Sequence, residues 1–141
     1  MPVATPSALR YVTPLREGGS LPALVETEAG MMVVKFRGAG QGARALVAEL
    51  IVGGLAQALG LPLPDLAVVH LGPDFGRAEP DPEIQDILRG SVGENVGLGF
   101  VPGAFAYEPA AHAELIDPAL AADIVWLDAL TTNIDRTARN P

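Results

Sequence analysis

Apolar residues in the first hundred positions form short runs separated by glycine and proline, a pattern that predicts strands joined by turns. Strands are predicted over 11–15, 21–26, 31–36, 66–71 and 95–101. The first three follow one another through short turns, which favours an antiparallel meander. Pro14 and Pro22 cannot donate to a strand ladder, so we expect the first two strands at an edge of the sheet.

The last two predicted strands differ in composition. Positions 66–71 are apolar almost throughout, which predicts a strand buried on both faces. Positions 95–101 alternate Gly97 and Gly99 with larger apolar residues. Because glycine has no side chain, these two positions are expected to let another group approach the backbone closely.

The clearest helix is predicted over 43–59, where apolar residues recur at three- and four-residue spacing. Gly53 and Gly54 weaken its middle by up to about 1 kcal/mol each. Gly60 ends the periodic segment. The pattern therefore predicts one long helix between the third and fourth strands.

Two further helices are announced by an aspartate followed by proline, the residues preferred at the N-cap and the first helical position. Asp81 begins a segment that is expected to be helical to about Arg89, and Asp117 begins another that continues to about 130. The intervening stretch 104–116 is ambiguous. Five strands with inserted helices, followed by a mainly helical end, predict an α+β protein.

Charge and composition exclude several function classes. The 141 residues include 17 acidic and 9 basic side chains, for a net charge of −8, which argues against a nucleic-acid surface. The chain has no cysteine and only two histidines, so any metal must be held by oxygen ligands. The longest uncharged apolar stretch, 50–64, is too short to cross a membrane, and a cytoplasmic location is expected.

Lys35 is the single lysine of the chain and lies at the end of the third predicted strand. An ammonium in a strand covered by a helix needs a partner, because burying an unpaired charge is costly. Glu49 is the only acidic residue between Glu28 and Asp65, and it lies on the following helix. A lysine that reaches water at the strand end, and a glutamate that faces solvent, are the alternative interpretations.

Asp135 follows the last predicted helix, and Asn140 lies five residues after it. The same spacing occurs in kinase catalytic loops, where the aspartate orients the attacking hydroxyl and the asparagine binds Mg²⁺. By itself this pair is a weak signal, and Asp135 could form an Asx turn after the helix. A strand lysine, a helix glutamate and this pair in one chain are together much less expected by chance.

Segments 32–38, 48–51 and 133–140 resemble the HipA-like kinase family, and the resemblance extends over about 10–141. It implies a two-lobed, protein-kinase-like fold. Residues 1–101 would form the nucleotide-binding N-lobe, an antiparallel sheet with inserted helices. Residues 102–141 would form the hinge and the first helical part of the C-lobe, up to the catalytic loop.

The resemblance also implies a role for each matching residue. Lys35 would contact the phosphates of ATP, Glu49 would pair with Lys35, and Asp135 would be the catalytic aspartate. Asn140 would bind Mg²⁺. Further nucleotide contacts are implied for Gly18, Gly19, Ser20, Gly99, Phe100 and Val101. The implied reaction is transfer of the γ-phosphoryl group to a protein Ser or Thr hydroxyl, and an antitoxin-like protein partner is a further expectation.

The chain departs from the family pattern in two places. The turn at 17–20 is shorter than the kinase glycine-rich signature, so an ordinary hairpin turn is an equally good interpretation. The family places a second Mg²⁺-binding aspartate beyond the catalytic loop, and no residue here matches it. We therefore expect a C-terminally truncated kinase with little or no turnover.

Two other classes remain open. Residues 38–43 match the G-x-G-x-x-G/A pattern of NAD(P)-binding Rossmann oxidoreductases, although the ribose-binding acid expected about 20 residues later is missing. A non-catalytic nucleotide-binding or interaction module is the other alternative. It would expose apolar residues, for which Trp126, Leu127 and Leu130 are candidates, although ordinary helix packing is slightly favoured.

Overall fold

The computed structural model describes residues 2–16 and 20–137 and combines one sheet with several helices. Within these residues the strands are β1 (Ala8–Pro14), β2 (Ala23–Thr27), β3 (Gly30–Lys35), β4 (Leu66–Leu71) and β5 (Gly93–Gly99). The helices are α1 (Gly42–Ala58), α2 (Pro82–Arg89), α3 (Pro109–His112) and α4 (Pro118–Leu130). All five predicted strands are confirmed, and the ambiguous stretch before α4 contains α3 and a 3₁₀ turn over Ala113–Leu115.

The sheet is antiparallel in the order β1-β2-β3-β5-β4, so the predicted meander of the first three strands is confirmed. The expectation that both proline-flanked strands lie at an edge is right for β1 and wrong for β2. Strand β2 lies between β1 and β3. Pro22 is compatible with that place because it precedes the strand, which begins at Ala23 and therefore loses no ladder donor.

The N-terminal segment, before β1, covers part of the sheet edge that is formed by β4. Ala4 and Ser7 form parallel bridges to β4, with the Val68 amide donating to the Ala4 carbonyl at 2.9 Å. The chain then continues directly into β1, which pairs with β2 and forms the other edge of the sheet. The same stretch of chain thus contacts both ends of the strand order, which curls the sheet and leaves less of the β4 edge open to pairing with another protein.

The sheet has two unequal faces. The larger one forms the main core, which is built from alternate residues of the strands and is closed by α2. Its buried residues are Ala23, Val25, Met32, Val34, Phe36, Ala39, Ala67, Val69, Leu71, Ile84 and Leu88. The opposite face, here called the α1 face, holds a smaller cluster of Leu46, Leu66 and Val96, with Leu50 and Leu98 against it. Helix α1 therefore packs on the sheet through a narrow contact.

Both predicted aspartate caps are present. The Asp81 carboxylate accepts a hydrogen bond from the Glu83 amide at 2.9 Å, and the Asp117 carboxylate accepts one from the Ala119 amide at 3.2 Å. Each cap satisfies one of the amides that have no partner inside the helix, and the proline that follows needs none. These local interactions explain why the starts of α2 and α4 were readable from the sequence.

Strand β4 is buried along its whole length on the main-core face, but only at its beginning on the α1 face. Ala67, Val69 and Leu71 lie in the main core, and Leu66 is buried under α1. His70 lies on the α1 face but is exposed, so the prediction of burial on both faces is wrong at this end of the strand. The reason is the narrow contact of α1, which covers the beginning of β4 and not its end.

Helices α1 and α4 are apolar around most of their circumference, yet much of each surface is exposed. Trp126 and Leu130 of α4 are each 55% exposed, whereas Leu127 is buried. Ordinary packing is therefore confirmed for Leu127 and wrong for the other two predicted surface candidates. On α1, Ile51 is 65% exposed. Of the helices in the described ranges, none has the length and apolarity needed to span a membrane.

Candidate functional site

Lys35 and Glu49 form a direct ion pair that joins the end of β3 to α1. Alternation along the strand places Val34 in the main core, so Lys35 points to the α1 face. There its ammonium Nζ donates to the Oε1 atom of Glu49. The structure thus brings these two predicted site residues together and excludes the alternative in which each faces solvent alone.

The ion pair lies at the border of the α1-face cluster. Glu49 directly precedes Leu50, which packs against that cluster, and Lys35 lies opposite Val96 in the β3–β5 register. The side chains of Lys35 and Glu49 keep 33% and 35% of their surface exposed. A pair this accessible contributes at most about 1 kcal/mol to stability. Its importance is geometric, because it holds an ammonium in a defined position that a ligand can still reach.

The glycine-rich connector at 38–43 follows β3 and precedes α1, as the Rossmann pattern requires, but the surrounding sheet does not fit that fold. Strand β3 is antiparallel to both of its neighbours, β2 and β5. Strand β4, which follows α1, is separated from β3 by β5. A dinucleotide-binding unit is built on a mainly parallel sheet in which the strands before and after the first crossover helix are neighbours. The described sheet therefore argues against the oxidoreductase alternative.

The predicted phosphate turn lies between β1 and β2. Gly18 and Gly19 fall outside the described residues, whereas Ser20 is in a turn. The Leu15 amide donates to the Pro22 carbonyl at 2.7 Å and closes the base of this connection. The position between the first two strands is the one that a kinase glycine-rich loop would occupy, and contact with phosphate stays a prediction for all three residues.

The predicted nucleotide contacts Gly99, Phe100 and Val101 lie at the end of β5 and directly after it. The Gly99 amide donates to the Asp65 carbonyl at 2.8 Å, and the Phe100 amide donates to the Met31 carbonyl at 2.9 Å. These two donors are already used within the protein. Val101 is 51% exposed, and within the described chain its amide has no hydrogen-bond partner. Of the three predicted contacts, Val101 is therefore the one with a backbone donor available to a ligand.

Asp135 lies in an exposed segment that is held against the end of α4 by Asp128. The Asn133 side-chain amide donates to Asp128 Oδ1 at 2.9 Å, and the Arg136 guanidinium donates to Asp128 Oδ2. The Asp135 amide donates to the Asn133 side-chain oxygen at 3.1 Å, so the Asx turn is formed by Asn133. The ion pair of Lys35 does not include Asp135, and Asn140 lies outside the described residues.

Asp128 is a residue that the sequence reasoning missed. It was recognisable as a carboxylate in an otherwise apolar stretch of α4, seven residues before Asp135. Hydrogen bonding from the Arg136 guanidinium, helped by Asn133, lowers the pKa of Asp128 below its ordinary value. Because the folded state favours the charged form, this contact stabilises the segment above the unfolded pKa of about 3.9 and is lost as the pH falls through the lower folded pKa.

Replacing Asp128 with asparagine is expected to release the segment that carries Asp135. The neutral side chain loses the charge-assisted contact with Arg136, so hydrogen exchange at the Asp135 amide should accelerate roughly tenfold at pH 7. Asp123→Asn is the control, because Asp123 lies exposed on the same helix and forms no ion pair with any described residue. Equal exchange rates in both variants and the wild type would show that Asp128 does not hold this segment.

No group of three or more acidic or histidine side chains that could bind a metal is present among the described residues. This finding leaves the predicted Mg²⁺ ligand untested, because Asn140 is not among them. The Mg²⁺ site accordingly stays a prediction.

An ion pair between a lysine of the third strand and a glutamate of the following helix is typical of kinases. A comparison with family models agrees with this class: the model described as HipA-like kinase matches residues 10–141. The chain belongs to the HipA-like kinase family. Searches of curated proteins and of solved structures found no match.

Proposed function

We propose that this chain is the nucleotide-binding part of an ATP-dependent kinase that phosphorylates a Ser or Thr hydroxyl of a protein. Membership of the HipA-like family supports a kinase at the level of class. The observation that carries the finer proposal is the Lys35–Glu49 ion pair between β3 and α1. It matches in residue type and in element the pair that positions the nucleotide phosphates in kinases.

The roles of the two residues follow from their chemistry. Lys35 presents a compact ammonium that binds phosphate oxygens as a point charge. Glu49 keeps that ammonium directed to the α1 face and prevents it from moving freely in solvent. Both are accessible enough for a triphosphate to approach without disrupting the main core. This site therefore fits the phosphate portion of ATP.

The adenine contact is proposed at the end of β5. Kinases bind the adenine edge through backbone groups in the segment between the two lobes. Val101 is an exposed residue, and its amide has no partner in the described chain. The boundary between the two lobes at residues 101 and 102 remains part of the same proposal. Ser20, Gly18 and Gly19 would cover the phosphates from the turn between β1 and β2.

The proposed reaction is an in-line transfer. Asp135 accepts the proton of the acceptor hydroxyl as its oxygen bonds to the γ-phosphorus, and the bond from that phosphorus to the bridging oxygen of ADP breaks. Mg²⁺, with Asn140 as the proposed ligand, would neutralise charge on the phosphates. The fixed contacts of Asn133 and Arg136 with Asp128 would hold Asp135 in the segment where it acts.

A ligand comparison on the purified chain tests the proposal. Mg·ATP at a hundredfold excess over its Kd should stabilise the fold by about 2.7 kcal/mol and raise Tm, whereas NAD should leave Tm unchanged. Stabilisation by NAD alone would reject the kinase interpretation. Stabilisation by Mg·ATP without measurable ADP formation is the expected result, because little or no turnover is expected of this chain. ADP formation with an acceptor protein would demonstrate phosphoryl transfer and contradict that expectation.

The non-catalytic alternative predicts the same stabilisation of this chain by Mg·ATP. It is supported by the exposed apolar residues of α4, such as Trp126 and Leu130, which offer a surface for a protein partner. A nucleotide-binding module would form no ADP with any acceptor even in a form that also supplies a second Mg²⁺-binding aspartate, whereas the kinase proposal expects phosphorylation that depends on Asp135 there. An antitoxin-like partner stays a prediction that a binding assay with such a protein would test.

A further inference from the structure

The connector between β3 and α1 is anchored by two buried polar side chains from the start of β5 and the turn before it. Asn95 and Ser91 are 2% and 0% exposed. The Asn95 side-chain oxygen accepts a hydrogen bond from the Arg37 amide at 2.8 Å. Its side-chain NH₂ donates to the carbonyls of Ser91 at 2.7 Å and Gly93 at 2.9 Å. Asn95 therefore ties the connector to the β5 backbone two residues after Lys35.

Ser91 anchors the next residue of the connector. Its hydroxyl accepts a hydrogen bond from the Gly38 amide at 2.9 Å and donates one to the Ile87 carbonyl of α2 at 2.6 Å. Gly38 lies so close to this region that an added Cβ would be 2.5 Å from the Ile87 carbonyl oxygen. The backbone at Gly38 is therefore held against α2 both by hydrogen bonding and by the lack of space.

These contacts define the path of the chain between the two members of the ion pair. Lys35 ends β3, and α1 begins at Gly42, seven residues before Glu49. A different path at Arg37 or Gly38 would start α1 in another place and move the Glu49 carboxylate relative to the ammonium. Because a buried amide or hydroxyl without a partner is costly, the hydrogen bonds to Asn95 and Ser91 select one path.

We propose that Asn95 and Ser91 are positioning residues that set the geometry of the Lys35–Glu49 ion pair. They act through the connector backbone, and their side chains hydrogen-bond to backbone groups and to neither side chain of the pair. Their function in catalysis rests on the proposed role of this pair in phosphate binding. The geometric effect itself does not require a nucleotide and can be measured without one.

The single lysine of the chain makes this measurement specific. After labelling with ¹⁵N-lysine, the only labelled side-chain amine is that of Lys35, and its NMR signal reports the ion pair. Glu49→Gln gives the reference shift for a lost ion pair. In Ser91→Ala and Asn95→Ala the Lys35 signal should move at least half of the way to that reference. Gly38→Ala should produce the same change, because it displaces the connector without altering either polar side chain.

Thr27→Ala is the matched control, because Thr27 ends β2 and pairs with Gly30 at the end of β3 that is distant from Lys35. Thr27 is 4% exposed, and its hydroxyl donates to the Gly30 carbonyl at 2.8 Å and accepts from the Ala29 amide at 3.1 Å. Its loss removes buried hydrogen bonds of the same kind at the turn between β2 and β3, distant from Lys35, and should leave the signal unmoved. If Asn95→Ala does not fold, Ser91→Ala and Gly38→Ala decide the outcome. A wild-type Lys35 signal in those two folded variants, or an equal shift in Thr27→Ala, would overturn the proposal.

Nucleotide binding separates this inference from the proposed function. If the Lys35 signal moves as expected but Mg·ATP never stabilises the wild-type chain, the positioning effect stands and the kinase role of the site fails. If Mg·ATP binds and the Lys35 signal is unaffected in all three variants, the positioning effect fails and the kinase role stands. In the case where both hold, the three variants should weaken Mg·ATP binding and Thr27→Ala should not.

Discussion

Lys35→Met is expected to weaken Mg·ATP binding by roughly 10- to 100-fold, the cost of losing one charge-assisted hydrogen bond to phosphate. The fold should survive, because the Lys35–Glu49 pair is about one-third exposed and contributes little to stability. Titration of the nucleotide against Tm, or calorimetry, measures the loss. Lys35→Arg should recover little, because a planar guanidinium does not match the geometry of a point contact.

Arg44→Met is the matched control for this prediction. Arg44 lies in the first turn of α1 and is exposed, and it forms no ion pair within the described part of the chain. The substitution removes the same charge from the same region and should leave the affinity within about twofold, since a single exposed charge is largely screened. Equal losses of affinity in the two variants would mean that the total positive charge of this region, and not the position of Lys35, governs binding.

A large effect on stability is expected at Gly97, in the middle of β5. An added Cβ there would lie 2.6 Å from Cγ2 of Val69 and 3.1 Å from Sδ of Met32, two residues of the main core. Gly97→Ala should lower the free energy of unfolding by about 1–3 kcal/mol, because overpacking forces buried side chains off their rotamers. Chemical denaturation of the folded variant gives the value, and Gly97→Val should be worse.

Gly54→Ala is the control, and it is expected to raise the free energy of unfolding where Gly97→Ala lowers it. Gly54 lies inside α1, and an added Cβ there would meet nothing within 4 Å. Alanine has the higher helix propensity, so this variant should gain about 0.5–1 kcal/mol. If Gly97→Ala proved as stable as the wild type while Gly54→Ala was stabilised, the close approach of Val69 and Met32 to β5 would not matter for packing.

Much of the local structure was predictable because short-range chemistry determines it. Asp81 and Asp117 satisfy amides in their own helices, so their caps depend on residues two positions away. The expectation that Gly97 and Gly99 permit close approach is confirmed by Val69 and Asp65, which lie within van der Waals distance of where each Cβ would be. The approaching groups are parts of the protein itself.

The errors arose where distant segments meet. The inner position of β2 depends on its pairing with β3, and the exposure of His70 depends on how much of the sheet α1 covers. Asp128 was missed because its partners become visible only when the chain folds back after α4. Propensity and periodicity describe neighbours in sequence, and these contacts join residues through tertiary packing.

The sequence by itself determined which chemistry is available to this protein: one lysine at a strand end, one glutamate on the following helix, and an aspartate after the last helix. It also determined the antiparallel meander and the capped helices, because those patterns are local. Only the tertiary structure decided that Lys35 and Glu49 meet. That contact depends on the alternation of side chains along β3 and on the packing of α1 against the α1 face. It also depends on the path of a connector held by Asn95 and Ser91. Residues far apart in the chain must be packed together before an ammonium and a carboxylate can form one site.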